Sequence, residues 1–282
     1  MDIRTVGIVG AGQMGNGIAH VFALSGYEVL LNDISDEGLK RAVATIDKNL
    51  ERQASRGKIT EADRAGAMGR IKTTLALPDL GPCDLIIEAA TEREVIKNQI
   101  FETLAPHLGP QTILTSNTSS ISITRLASKT DRPERFMGFH FMNPVPVMQL
   151  VELIRGIATN VETYDTLLAV VGRLGKTAAS AEDYPAFIVN RILIPMINEA
   201  IFVLQENGDA QAIDASMCLG CNQPIGPLAL ADLIGLDTVL AILESLQTGF
   251  GDPKYRAAPL LREFVAAGFL GKKTGRGFHV YS

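Results

Sequence analysis

The chain opens with a short apolar run over residues 4–10 (Arg-Thr-Val-Gly-Ile-Val-Gly), which reads as a buried strand. Over 15–24 apolar residues recur at helical spacing, Gly26 breaks the pattern, and 27–32 reads as a second strand. Strand, glycine turn, helix and strand within ~30 residues make a βαβ unit, which implies a parallel sheet. A long polar helix is predicted over 36–56. Gly57 stops it, and Thr60 with Asp63 starts a shorter helix. Further strands are predicted at 71–75, 84–89, 112–115, 136–141 and 149–154, with helical spacing over 94–104. Alternation of this kind over ~180 residues predicts an α/β domain with a doubly wound, mostly parallel, Rossmann-type sheet.

The texture changes after Tyr184-Pro185. Residues 187–204 carry helical spacing with Pro195 inside as an expected kink, and three or four more helices follow. Gly208, the 224–226 and 249–253 turns and Gly235 punctuate them. The expected organisation is therefore an α/β domain over 1–184 and a smaller, all-helical domain over 185–282.

A length of 282 residues suits two domains. The net charge of −5 argues against nucleic acid or an anionic membrane as the main partner. No apolar run approaches the ~18 residues needed to span a bilayer. Met1 leads into the first strand pattern without a basic n-region or cleavage site, and Cys83, Cys218 and Cys221 are too few for a disulfide framework. A cytoplasmic protein is expected. Cys218 and Cys221 form a C-x-x-C, but zinc needs two more ligands and no nearby His or Cys supplies them. No metal is expected, and the pair reads as structural cysteines at a helix end, with the burial usual for free Cys.

Chemistry enters at the first strand-to-helix junction, Gly10-Ala11-Gly12-Gln13-Met14-Gly15. Gly10 permits the tight turn, Gly12 lets backbone approach a pyrophosphate, and Gly15 permits close packing of helix on strand. The helix N-terminus adds free amides and its positive dipole end. Eighteen positions after Gly15 stands Asp33, where a carboxylate accepts hydrogen bonds from ribose hydroxyls and repels a 2′-phosphate. NAD is favoured over NADP; on these residues alone FAD stays open.

An imidazole is the side chain best suited to move a proton near neutral pH. His20 falls on the helix after the glycine turn, His107 in a loop and His279 near the C-terminus. His140 alone stands in a dense, proline-fixed segment after a strand pattern. Glu152 lies in an apolar strand, where a carboxylate needs a partner. A strand returning antiparallel after the proline turn would bring Glu152 beside His140, to orient the ring and stabilise an imidazolium. On α-helical spacing Arg52 and Arg56 share one face, with Lys58 just beyond, a basic patch fit for phosphates.

Several longer motifs carry a resemblance: Glu88-Ala-Ala-Thr-Glu92, Ser116-Asn-Thr-Ser-Ser120, His140-Phe-Met-Asn-Pro-Val-Pro-Val-Met148 and Gln149-Leu-Val-Glu152. Phe187-Ile-Val-Asn190-Arg191, Pro224-Ile-Gly-Pro227 and Gly271-Lys-Lys273-Thr-Gly-Arg-Gly277-Phe278 continue it in order over essentially the whole chain. With these residues the chain resembles the 3-hydroxyacyl-CoA dehydrogenases, most nearly the compact bacterial 3-hydroxybutyryl-CoA enzymes. The resemblance implies NAD-dependent interconversion of (S)-3-hydroxyacyl-CoA and 3-ketoacyl-CoA, with His140 and Glu152 as the acid–base pair. It implies Ser119 and Asn190 as contacts to the substrate oxygen, Asn190 reaching a cleft between the domains. Glu92, Lys97, Asn117, Ser119, Asn143 and Lys273 are implied around NAD, Lys273 as a flexible cationic arm. Asn49 and Arg56 stand where the family has a Ser and a Lys on CoA, with Arg52 alongside. A homodimer through the helical domain is also implied. Ala186 departs from the family's usual Gly. Two rivals stay open: a dehydrogenase of a free hydroxy or sugar acid on this fold, and a non-catalytic, crystallin-like NAD-binding protein.

Overall fold

The computed structural model describes residues 1–281, and by its contacts the chain divides into two compact units, Met1–Tyr184 and the remainder from Pro185. The first unit is built on an eight-stranded sheet. Its strands are β1 (Thr5–Val9), β2 (Glu28–Asn32), β3 (Ile71–Thr74), β4 (Leu85–Glu88), β5 (Ile113–Ser116), β6 (Phe136–Phe141), β7 (Leu150–Arg155) and β8 (Thr177–Glu182). The order is β3-β2-β1-β4-β5-β6-β7-β8. Every neighbouring pair is parallel except β6 with β7. The order reverses direction between β1 and β4, the switch point outside which such sheets bind ligands at their carboxyl ends.

Parallel strands covered on both faces run largely apolar, and β4, β5 and β6 are buried at every position. Against β1 packs α1 (Gln13–Leu24), whose Ile18, Ala19, Phe22 and Ala23 are wholly buried. Phe22 meets Tyr27, Phe139 and Phe141 in edge-to-face contacts with centroids 5.1 to 6.3 Å apart. Each such side chain contributes on the order of 1.5–3 kcal/mol through burial, so α1 is fixed to the strand that carries His140.

The long polar helix is α2 (Asp36–Ser55), capped by Ser35, and Thr60 with Asp63 closes a reciprocal capping box on α3 (Glu61–Gly69). α4 (Glu94–Leu104), α5 (Ile123–Ala127) and α6 (Val161–Arg173) complete the unit. The pattern reading above leaves α5, α6 and β8 unassigned. β8 is Thr-Ala-Ala-Ser-Ala-Glu, an edge strand largely open to solvent and poor in β-branched residues, so neither propensity nor alternation marks it. α6 did carry a signal: Asn160 caps it, its side chain accepting from the Thr163 amide at 2.7 Å.

The second unit holds α7 (Val189–Gln205, with Pro195 inside), α8 (Ala210–Cys221), α9 (Pro227–Ile234), α10 (Leu236–Phe250) and α11 (Pro259–Ala266). Its core is Ile194, Ile197, Ile201, Leu228, Leu236, Val239, Leu243, Leu246 and Leu261. Ala186 is buried with φ +62°, a left-handed conformation in which a glycine carries no Cβ penalty. Cys221 ends α8 but is exposed, and Cys218 is half-buried, which corrects the expectation of two buried cysteines. The last turn of an outlying helix leaves little to bury them. Cys83 alone is buried, and burial pushes its thiol up to about 11. No group of three or more metal-ligating side chains occurs among the described residues. No helix among them is long and apolar enough to cross a membrane.

Candidate active site

The glycine turn joins β1 to α1, with Gly12 as the N-cap. Gly10 has φ +99°, and a Cβ there would stand 2.6 Å from the backbone of Ala90. A Cβ on Gly15 would meet the Gly10 carbonyl at 1.7 Å. Gly12 differs: nothing lies within 4 Å of its Cβ position, so a side chain would project into open space where backbone can meet a ligand. Two glycines are thus required by the fold, and the third keeps a cradle clear. The amides opening α1 have no partner within the helix, and Gln13, Met14 and Gly15 carry them at its positive end. Asp33, just past β2, accepts from the Ala11 amide at 2.7 Å and the Ser35 amide at 3.0 Å. The Asp33 carboxylate thereby ties the turn to β2, and a groove runs between them lined by Ala11, Gly12, Gln13, Ser35, Gly38 and Arg41. An open glycine, helix amides and an acid at one groove fit a dinucleotide.

Across the switch point, β6 and β7 run antiparallel in a register that sets His140 directly opposite Glu152. His140 Nδ1 lies 2.7 Å from Glu152 Oε2, with the carboxylate at 0 % and the imidazole at 5 % exposure. An ionised carboxylate only accepts, so this contact places the ring proton on Nδ1 and leaves Nε2 with a lone pair. Nε2 faces the Ser119 hydroxyl at 3.1 Å. Ser119, His140 and Glu152 therefore form one hydrogen-bonded chain, ending at a loop residue that is part-exposed.

That loop is held from several sides. The Phe141 amide donates to the Asn117 side-chain carbonyl at 2.9 Å, pinning the end of β6 to the loop after β5. Glu92 Oε1 accepts from the Ser119 and Ser120 amides at 2.9 and 3.0 Å and from the Thr118 and Ser120 hydroxyls at 2.6 and 2.9 Å. Lys97 is buried, its ammonium 2.5 Å from Glu88 and 3.8 Å from Glu92. The sequence assigns an expected role to Lys97 and Glu92 but none to Glu88. An acid ending the apolar Leu85-Ile-Ile run is the available signal.

The remaining candidates sit on other elements. Asn143 is exposed in the turn after β6, joined to Pro144 by a cis peptide. Arg52 and Arg56 are exposed at the end of α2, where Arg52 donates to the Asn49 side chain at 2.7 Å. Asn190 occupies the first turn of α7, half-buried. Lys273 pairs with Asp237 of the same unit at 2.6 Å, a held side chain in a short turn. The other histidines are placed differently. His20 is buried on α1, His107 is exposed, and His279 contacts Asp214 at 2.8 Å.

Comparison with known proteins draws these features together. Residues 5–184 match the family model described as 3-hydroxyacyl-CoA dehydrogenase, NAD binding domain, and residues 187–281 match the C-terminal domain of the same family. A 3-hydroxybutyryl-CoA dehydrogenase of Bradyrhizobium diazoefficiens is 58% identical over 280 residues, 99% of this chain and 96% of that protein. One from Clostridioides difficile is 45% identical over 276 residues, 98% of each. The crystal structure of (S)-3-hydroxybutyryl-CoA dehydrogenase from Ralstonia eutropha superposes with a TM-score of 0.97 at 55% identity, covering both chains fully. Matched along nearly its whole length by both domain models, this chain belongs to the 3-hydroxyacyl-CoA dehydrogenase family.

Proposed function

We propose that the protein interconverts (S)-3-hydroxybutyryl-CoA and acetoacetyl-CoA with NAD, and that His140 moves the proton. The observation that carries this reading is the Ser119–His140–Glu152 chain inside a family NAD-binding domain. Bound NAD supplies the hydride acceptor, and NADH the donor. His140 Nε2 takes the hydroxyl proton during oxidation and returns it during reduction. Glu152, buried and 2.7 Å from Nδ1, holds the ring in the orientation that presents Nε2 and stabilises the imidazolium formed on it. The Ser119 hydroxyl, 3.1 Å from Nε2, hydrogen-bonds the same substrate oxygen. In this reading Asn190 joins the substrate contacts, and Asp33, the 10–15 turn, Glu92, Asn117, Asn143 and Lys273 hold the cofactor. Exposed Arg52 and Arg56, with Asn49, take the phosphates of CoA.

Turnover followed by NADH absorbance tests the assignment. Acetoacetyl-CoA is expected to be reduced, and a series of longer 3-ketoacyl-CoAs to react more slowly. Equal rates on free acetoacetate would favour a dehydrogenase of free hydroxy acids. No turnover in either direction would favour a non-catalytic NAD-binding protein.

A cytoplasmic homodimer completes the proposal. α8 buries none of its residues fully, and Leu219 is 88% exposed, Ile192 67% and Leu233 58%, an apolar display that one copy can cover on another. Light scattering is expected to give twice the monomer mass. Leu219→Glu is expected to shift it toward the monomer, and an unshifted mass would place the interface elsewhere.

A further inference from the structure

The first unit buries a second ionic cluster around Glu88, a residue with no role in the proposed function. Glu88, the last residue of β4, is 0 % exposed, and Lys97 of α4 is 1 % exposed. Lys97 Nζ donates to Glu88 Oε2 at 2.5 Å, and the Ser116 hydroxyl donates to the same oxygen at 2.7 Å. The Ala90 amide donates to Oε1 at 2.8 Å. Glu88 thus spends both oxygens, one on the start of its own loop and one on Lys97 and Ser116.

Those two partners lead to one place. Ser116 ends β5 and opens the 117–120 segment. The ammonium of Lys97 also stands 3.8 Å from Glu92 Oε2, and the other oxygen of Glu92 gathers the amides and hydroxyls of residues 118–120. Glu88 is wholly buried at the end of a central strand, whereas Glu92 is half-exposed in a loop. Of the two carboxylates sharing the ammonium, Glu88 is therefore the immobile end. A buried carboxylate and a buried ammonium are each costly alone, so the pair resists separation and holds its geometry. The segment bearing Ser119 is gripped at one end by Glu88 directly and at the other through Lys97 and Glu92.

We propose that Glu88 is a positioning residue for catalysis, setting the Ser119 hydroxyl against His140 Nε2 through Ser116 and through Lys97 and Glu92. The proposal rests on the role given to Ser119 above. It assigns Lys97 to this bracing network, with its ammonium directed at two carboxylates. A plain structural ion pair would raise stability without acting through one hydroxyl.

Glu88→Gln keeps the shape and removes the charge. It is to be measured for kcat, KM, NADH affinity and Tm, alone and combined with Ser119→Ala. The expected result is a loss of kcat of about tenfold in the native background, in keeping with small misplacement of a reacting group. NADH affinity should hold within about twofold, and the loss should shrink to about twofold when Ser119 is already Ala. An unchanged kcat, or the same fold loss in both backgrounds, would overturn the proposal. Should Glu88→Gln not fold, Glu92→Gln breaks the same brace at its half-exposed end and must show the same dependence on Ser119. The two readings fail differently. If Ser119→Ala alone leaves kcat intact, the role of Ser119 is wrong and this proposal falls with it. If Ser119→Ala is slow but neither Glu variant couples to it, only the brace is wrong.

Discussion

Two histidines are buried in the same unit, and their surroundings differ in one respect that decides their chemistry. His20 lies on α1, 1 % exposed, with Nε2 3.1 Å from the Gln53 amide nitrogen and with no hydrogen-bond partner on Nδ1. Burial, reinforced by the nearby Lys176 charge and only partly offset by the Gln53 hydrogen bond, pushes it down to about 4. His140 is 5 % exposed, but Glu152 sits 2.7 Å from its Nδ1 and a hydroxyl faces its Nε2. Burial alone makes an imidazole a neutral space-filler. In the proposed mechanism, the buried carboxylate behind His140 is what stabilises the imidazolium formed when the proton arrives.

The contrast can be broken at either end. The largest effect is expected from His140→Ala: kcat falls by about 10^4-fold, since no other group replaces the base. NADH affinity, measured by fluorescence titration, should be unchanged. Glu152→Gln keeps the size but removes the charge, and kcat should drop by about 10^3-fold, as orienting acids do when made amides. A rate near native would make Glu152 a bystander.

At the other histidine the effect is on stability. Its folded-state value of about 4 lies below the ordinary 6.5, so between these the unfolded chain binds the extra proton. Stability therefore falls as pH drops from 6.5 toward 4, by about 3 kcal/mol in total. Denaturant unfolding across that window should show the slope, and His20→Leu should flatten it with kcat within about twofold of native. If His20→Leu left the slope unchanged, other groups would own the acid transition.

Much of this is legible in the sequence alone. The glycine turn and Asp33 stand out because a tight turn, an open approach and close packing each demand glycine at a fixed spacing. The facing of His140 and Glu152 was harder. Sequence offered an antiparallel return after Pro144-Val-Pro146, and only the pairing of β6 with β7 supplies the register. Glu88 and Ser116 carry no role that the sequence alone reveals, because a side chain's partner across the sheet is invisible in one dimension. β8 was missed since an exposed Ala-rich edge lacks the apolar alternation that marks a strand. Lys273, expected as a free arm, meets Asp237, thirty-six positions away in sequence. Local pattern reaches most of the backbone, and of the long-range polar pairs it reaches His140 with Glu152 but not Glu88 with Lys97 or Lys273 with Asp237.

The central claim is that Glu152 fixes which nitrogen of His140 is bare. Nitrogen-15 NMR of labelled protein, with the His140 ring assigned by its loss in the His140→Ala variant, reads this directly near neutral pH. The account predicts a proton on Nδ1 and an unprotonated Nε2 toward Ser119. A proton resident on Nε2 of the neutral ring would contradict it.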